Sequence, residues 1–265
     1  MEKIETYSFT VEPFHVDFTG HLFMGVLGNH LLNAAGHHSH NRGWGIDQLN
    51  ERHYTWVLSR LCIELDEMPA QYEDVEIETW VESVMKLFTE RNFLIRNASN
   101  GRVYGYARSI WAMIDTETRQ PSDLLALKNG DILHYVLTEE EKPCPIAKHG
   151  RVRLSKAAEP IRTLNTYYSD VDINGHINSI KYIEHILDLF PRQQFEQHSI
   201  HRLEIAYKAE AYQGDTLTFI GEPMADLLPD GTPAATQLEI RKNVGREDKP
   251  EGESIVTALI KWGDN

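Results

Sequence analysis

What this 265-residue chain has little of narrows its function before any motif is read. No apolar run approaches the ~20 residues that a membrane-spanning helix needs, and the start, Met1 to Tyr7, holds no apolar core of signal-peptide length. A soluble, cytoplasmic protein with no membrane partner is expected. Cysteine is scarce: Cys62 and Cys144 stand far apart, with neither the spacing of a zinc site nor the density of a disulfide scaffold. No metal and no cofactor are expected. Basic residues are outnumbered, 26 Lys and Arg against 40 Asp and Glu for a net charge of -14, which argues against a nucleic-acid partner. No glycine-rich phosphate loop is found. Nor is there an evident serine or cysteine nucleophile beside a base: Cys62 falls in the strand-like run Trp56 to Leu65 as a small buried hydrophobe, and Cys144 sits between Pro143 and Pro145.

What is present reads as globular, with 41% apolar and 25% charged residues. The length suits one large domain or two of ordinary size.

The densest chemistry lies in Ser169-Asp170-Val171-Asp172-Ile173-Asn174-Gly175-His176-Ile177-Asn178, which runs into an amphipathic segment, Ser179 to Phe190. Asp172, Asn174 and His176 place a carboxylate, an amide and an imidazole at alternate positions where a helix is expected to begin. The first N–H groups of a helix have no partner inside it and carry the positive end of its dipole. N–H groups near Gly175 and His176 are therefore candidates to receive a developing oxyanion. Asp and Asn before a helix also serve as plain turn and cap residues.

Val16-Asp17-Phe18-Thr19-Gly20-His21-Leu22 repeats Val171-Asp172-Ile173-Asn174-Gly175-His176-Ile177 at a shift of 155 residues (172 minus 17), with four of seven positions identical. The same order of elements follows each copy. A helical period runs through Phe23, Leu27, Leu31 and Ala34 within Leu22 to His40, and through Ile180, Ile183, Leu187 and Phe190. Strands are then expected at Tyr54 to Asp66, Val75 to Ser83, Phe88 to Asn97 and Val103 to Ile114, and again at Ile200 to Ala209, Thr216 to Gly221, Ala235 to Val244 and Ser254 to Trp262. A short strand at Tyr7 to Val11 precedes the first copy, and a charged loop, Gly245 to Gly252, breaks the second set. One helix and about four antiparallel strands, twice over, is an α+β plan that matches a tandem (double) hotdog, each half a long helix wrapped by an antiparallel sheet.

Lys142 to Pro160, rich in proline, basic and small residues, marks the boundary, giving domains at 1–145 and 146–265. Lys148, Arg151, Arg153, Lys156 and Arg162 form a local basic cluster in an acidic protein. Such a run is either a solvated face or a landing site for an acidic partner.

The residues resemble those of the acyl-acyl carrier protein thioesterases of bacteria and plant plastids. Asp172 to Ile183 looks like the family's D-x-N-x-H-x-N-N-x-K-Y-x signature, and Leu203-Glu204-Ile205-Ala206-Tyr207-Lys208-Ala209-Glu210-Ala211 is similar to its L-E-Y-R-x-E-C segment. In the first half the likeness continues at Trp56 to Arg60, Glu78 to Val81 and Ser109 to Arg119. The resemblance implies a site of Asp172, Asn174, His176 and Glu210. It also implies a first domain for acyl-chain recognition and a second for catalysis. The first copy has Thr19 where the second has Asn174, and Pro69 near the position corresponding to Glu210. Two departures stand out. Ala211 takes the place of the family's cysteine, which removes any cysteine nucleophile there, and Ser179 replaces the second asparagine of the signature.

The activity implied is hydrolysis of acyl-acyl carrier protein to free fatty acid and carrier thiol, ending chain elongation in fatty acid synthesis. Glu210 or Asp172 is the candidate base for an attacking water. Asn174 and backbone N–H groups are to hold the carbonyl oxygen, and His176 is to orient the reacting groups. A carboxylate nucleophile with an acyl-enzyme stays open. The implied partner is acyl carrier protein, itself acidic, which the basic cluster would steer. Phe23, Met24 and Leu27 are candidates to line an acyl tunnel, although a helix stripe of this kind also suits plain core. Rival readings are an acyl-CoA thioesterase on the same fold, a hydratase or dehydratase, and a non-catalytic acyl-binding module. Chain-length and saturation preference are not legible, and a homodimer stays open.

Overall fold

The computed structural model describes residues 2–243 and 251–264. Most of the loop expected at Gly245 to Gly252, and the last residue of the strand expected at Ala235 to Val244, lie outside the described residues. The chain divides into two compact units, Met1–Lys148 and His149–Asn265.

The first unit runs β1 (Ile4–Thr10), α1 (Met24–His40), α2 (Ile46–Asn50), β2 (Tyr54–Leu65), β3 (Asp74–Val84), β4 (Phe88–Asn97) and β5 (Val103–Asp115). Its strands pair antiparallel in the order β1-β3-β4-β5-β2. Alternation along the strands turns Val75 and Ile77 of β3 and Phe93 and Ile95 of β4 to the core, all fully buried. Helix α1 lies against β1 and β3 with Leu27, Leu31 and Ala34 on its buried face, each leucine contributing roughly 1.5–3 kcal/mol of apolar burial. Cys62 and Cys144 are both buried and outside any disulfide, packed with Trp80 and Ile146 in one apolar cluster.

The second unit repeats the plan with β6 (Glu159–Asn165), α3 (Ser179–Leu187), α4 (Arg192–Gln197), β7 (His198–Tyr207), β8 (Thr216–Pro223), β9 (Ala235–Lys242) and β10 (Glu253–Asp264). The order β6-β8-β9-β10-β7 matches the first sheet strand for strand. Helix α3 buries Ile180, Tyr182, Ile183 and Ile186, and the Tyr207 hydroxyl on β7 donates to Ser179 O at 2.9 Å. Each unit is an α+β hotdog. Among the described residues no helix is long and apolar enough to cross a membrane.

Two elements differ from expectation. Helix α3 stops at Leu187 rather than Phe190, because Pro191 disfavours helical backbone in the residue before it; the second unit's helix is thus short, not long. Strand β6 was not among the expected strands, and its first two residues fall in the boundary segment Lys142 to Pro160. It is an edge strand, exposed at nearly every position, and Pro160 lies within it, so it carries neither alternation nor a central-strand composition.

Close approach of backbone explains one glycine. Gly105 of β5 pairs with Leu65 of β2, and a Cβ built there would overlap Glu64 O and lie 2.8 Å from Leu65 Cα. Gly105→Ala must push the two strands apart and is expected to cost about 1–3 kcal/mol. Urea unfolding would show this as a lower midpoint at unchanged slope.

Candidate active site

The motif expected to open a helix closes a hairpin instead. Val171 bridges to Ile177, Asp172 N–H donates to His176 O at 2.8 Å, and Gly175 N–H donates to Asp172 O at 3.0 Å. Gly175 has φ +79°, a left-handed conformation that glycine takes without steric cost. Asp172 Oδ1 accepts from the N–H groups of Asn174 at 2.8 Å and His176 at 3.2 Å. The two amides expected to face an oxyanion, those of Gly175 and His176, are therefore already engaged by Asp172. Helix α3 begins further on at Ser179, where Asn178 Oδ1 caps it by accepting from Ile180 N–H at 2.9 Å.

Behind the hairpin, buried Asp170 accepts from Tyr167 N–H at 2.7 Å and lies 3.0 Å from His185 Nε2 of α3. Asn178 N–H donates to Asp170 O at 2.8 Å. The hairpin is thus fixed to the helix that follows it.

Glu210 is brought to the hairpin by the segment after β7, whose Ala211 O accepts from Ile177 N–H at 2.9 Å. Its Oε2 lies 3.4 Å from His176 Nε2, both side chains being partly screened from solvent. Asn174, two residues before His176, is exposed, and its side-chain amide makes no hydrogen bond among the described residues. The structure therefore gathers His176 and Glu210 as a pair and Asn174 on the same loop. Asp172 lies on that loop too, with its Oδ1 holding the turn.

Sequence reasoning missed two neighbours. The Tyr212 hydroxyl donates to Glu210 Oε2 at 3.1 Å, and its ring meets His176 edge-on with centroids 5.1 Å apart. Lys242 Nζ donates to Glu210 O at 2.8 Å and lies 3.8 Å from Asp215 Oδ2. A period-two signal, Tyr212 two residues after Glu210, was available for the first. Lys242 arrives through the β8–β9 register and leaves no local trace. Below them sits Tyr182, buried on α3, whose pKa is raised first by burial and then by Asp215, Glu210 and Asp172. It is a neutral phenol under a cluster of carboxylates.

The first unit builds the same frame without this chemistry. Asp17 N–H donates to His21 O at 2.9 Å, Gly20 N–H to Asp17 O at 3.0 Å and Leu22 N–H to Pro69 O at 2.8 Å, while Thr19 N–H donates to Asp17 Oδ1 at 2.7 Å. Pro69 thus stands where Ala211 does and Met68 where Glu210 does, one residue from the expected correspondence. The Thr19 hydroxyl is spent on Asp17 at 2.6 Å and lies 3.0 Å from His21 Nδ1.

Of the residues considered for the acyl chain, Met24 and Leu27 are buried in the core of the first unit, whereas Phe23 caps α1 and is 47% exposed. The basic cluster does not act as a whole. Lys148 belongs to the first unit, where its ammonium lies 3.1 Å from Glu82, 3.6 Å from Glu90 and 3.9 Å from Glu139; it adds no net positive charge there. Arg151, Arg153, Lys156 and Arg162 are exposed in the second unit, Arg162 donating to Asp188 O at 3.1 Å.

Comparison with known proteins adds an independent line. The family model for the acyl-ACP thioesterase N-terminal domain matches residues 2–126, and that for the C-terminal domain matches residues 155–264. The chain is 26% identical over 218 residues to the chloroplastic oleoyl-acyl carrier protein thioesterase 2 of Arabidopsis thaliana, covering 78% of this chain and 59% of that protein. It is 29% identical over 199 residues to the chloroplastic dodecanoyl-[acyl-carrier-protein] hydrolase of Cinnamomum camphora, covering 71% of this chain and 51% of the relative. It therefore spans between half and two thirds of the length of these curated relatives. Among solved structures, an acyl-ACP thioesterase from Bacteroides thetaiotaomicron shares 48% identity and superposes with a TM-score of 0.86, covering 98% of both chains. The 12:0-ACP thioesterase of Umbellularia californica has the same fold, with a TM-score of 0.80 at 19% identity over 100% of this chain and 99% of that one.

Proposed function

This chain belongs to the acyl-ACP thioesterase family, and on that footing we propose that it hydrolyses the thioester of an acyl chain carried on acyl carrier protein, releasing a free fatty acid and the carrier thiol. The observation that carries the reading is the His176–Glu210 pair, 3.4 Å apart, with exposed Asn174 two residues before His176 on the same loop. In the proposed mechanism Glu210 takes a proton from water as the water oxygen attacks the thioester carbon. The Asn174 amide donates to the carbonyl oxygen as it becomes an oxyanion, an interaction of the kind worth about 3–4 kcal/mol when removed. Collapse of the tetrahedral intermediate breaks the C–S bond, and the proton held by Glu210 passes by way of His176 to the departing thiolate.

Asp172 is assigned a different part. With Oδ1 accepting two backbone N–H groups, it shapes the loop that presents Asn174 and His176. We assign catalysis to the second unit and acyl-chain recognition to the first, a division supported by Met68 and Thr19 standing where Glu210 and Asn174 do. Phe23 remains a candidate contact for the acyl chain, and exposed Arg151, Arg153, Lys156 and Arg162 for the carrier. The proposed setting is the cytoplasm, in keeping with the scarcity of cysteine in the sequence.

The test is thiol release from a panel of acyl-acyl carrier proteins and the matching acyl-CoA thioesters. Carrier-protein substrates are expected to react at least about tenfold faster in kcat/KM, since an acidic protein surface can meet several of the exposed basic residues at once, whereas CoA offers only its own phosphates. Equal rates on both would move the reading to an acyl-CoA thioesterase; no thiol from either would move it to an acyl-binding module.

A further inference from the structure

We infer that Tyr212 is a positioning residue for Glu210, fixing the carboxylate and the imidazole of His176 against each other. The inference rests on the reading of Glu210 as the base. Its hydroxyl donates at 3.1 Å to Oε2, the same oxygen that lies 3.4 Å from His176 Nε2. Its ring meets the imidazole edge-on with centroids 5.1 Å apart. One side chain therefore touches both members of the pair. A glutamate has three rotatable side-chain bonds, and a group placed an ångström from its working position loses much of its effect.

Tyr212 is itself held in place. Its N–H donates to Asp215 Oδ2 at 2.8 Å, and Lys242 Nζ sits 5.5 Å from the centroid of its ring. The same ammonium donates to Glu210 O at 2.8 Å, so the segment from Glu210 to Asp215 is gripped through backbone and ring together.

The first unit supplies the control. There Ala70 N–H donates to Glu73 Oε2 at 2.8 Å, so Ala70 occupies the place of Tyr212. The pairing of Val75 with Asn97 corresponds to that of Leu217 with Lys242, and Asn97 donates to Glu73 at 3.3 Å. The frame forms with alanine in the place of Tyr212 and asparagine in that of Lys242, its Glu73 being held instead by the Tyr104 hydroxyl at 2.7 Å and by Arg102 at 2.9 Å. A tyrosine two residues after the Glu210 position and a lysine at the Lys242 position are thus found in the copy that has Glu210 and replaced in the copy that has Met68, so at these two positions they accompany the carboxylate rather than the fold.

The experiment is a double-mutant cycle on acyl-carrier-protein hydrolysis with the full chain, comparing wild type, Tyr212→Phe, Glu210→Gln and the double variant. Tyr212→Phe keeps the ring at a 46% exposed position and is expected to lower kcat about tenfold at unchanged KM and unchanged thermal midpoint. In the Glu210→Gln background the same change is expected to cost nothing further. Wild-type kcat in Tyr212→Phe, or an equal loss in both backgrounds, overturns the inference while leaving the role of Glu210 standing. Wild-type kcat in Glu210→Gln overturns both.

Discussion

Glu210→Gln and His176→Ala are each expected to slow thiol release about a thousandfold, roughly 4 kcal/mol of barrier, without lowering the thermal midpoint. The size follows from removing the proton acceptor or its partner in a site where no serine or cysteine offers another route. Stability is expected to hold because both side chains are partly exposed and the hairpin is fixed by other groups. Asp172→Asn separates the two carboxylates. An asparagine retains the Oδ1 acceptor for the N–H groups of Asn174 and His176, so the loop is expected to stand and most of the activity to survive, with a loss of about tenfold or less. Steady-state rates on one carrier-protein substrate, with melting curves for each variant, check all three. An Asp172→Asn variant as inactive as Glu210→Gln would transfer the base to Asp172.

The active loop also shows what a sequence can and cannot carry. The pair of heptapeptides from Val16 and Val171 announced the duplication, and the alternating strands that follow each announced the sheets. Yet Asp-Ile-Asn-Gly before an amphipathic run suits a helix cap and an Asx-type turn equally, since both use a short polar side chain to accept backbone N–H groups. Only tertiary structure tells them apart, by pinning Ile177 to Ala211 and starting α3 at Ser179. The slip from Pro69 to Met68 has a similar origin. A shift of 155 residues relates the two hairpins, but α1 is longer than α3, and the hydrogen bonds to Pro69 O and Ala211 O relate the later segments by 142 (211 minus 69). Lys242 was out of reach because its place beside Glu210 depends on sheet register, which composition does not encode. Strand β6 was hidden by its edge position.

The largest expected effect on stability lies away from the site, at Glu82. Its carboxylate and the Arg108 guanidinium are 4% and 6% exposed and meet at 2.6 Å. Asn92 Nδ2 donates to the same oxygen at 2.6 Å, and Lys148 Nζ reaches the other at 3.1 Å. Arg108 also donates to Ile146 O at 3.1 Å and Cys144 O at 2.7 Å. One buried network therefore ties β3, β4 and β5 to the segment 144–148. Burial alone would raise the Glu82 pKa, but the hydrogen bonds from Asn92 and Lys148 and the charge of Arg108 outweigh it and hold the group ionised. Glu82→Ala would leave the buried guanidinium with only the exposed Glu139 carboxylate, 3.9 Å away, as counter-charge, at an expected cost of about 3 kcal/mol, a large share of the roughly 5–15 kcal/mol by which a domain is stable. Restoring apolar contact on both sides, as in Glu82→Leu with Arg108→Met, is expected to recover part of that loss but not all, because the carbonyls of Cys144 and Ile146 still lose their donor. Urea unfolding of the three proteins decides the matter. A double variant less stable than Glu82→Ala would mean that the network is held by its carbonyl contacts rather than by its charge pair.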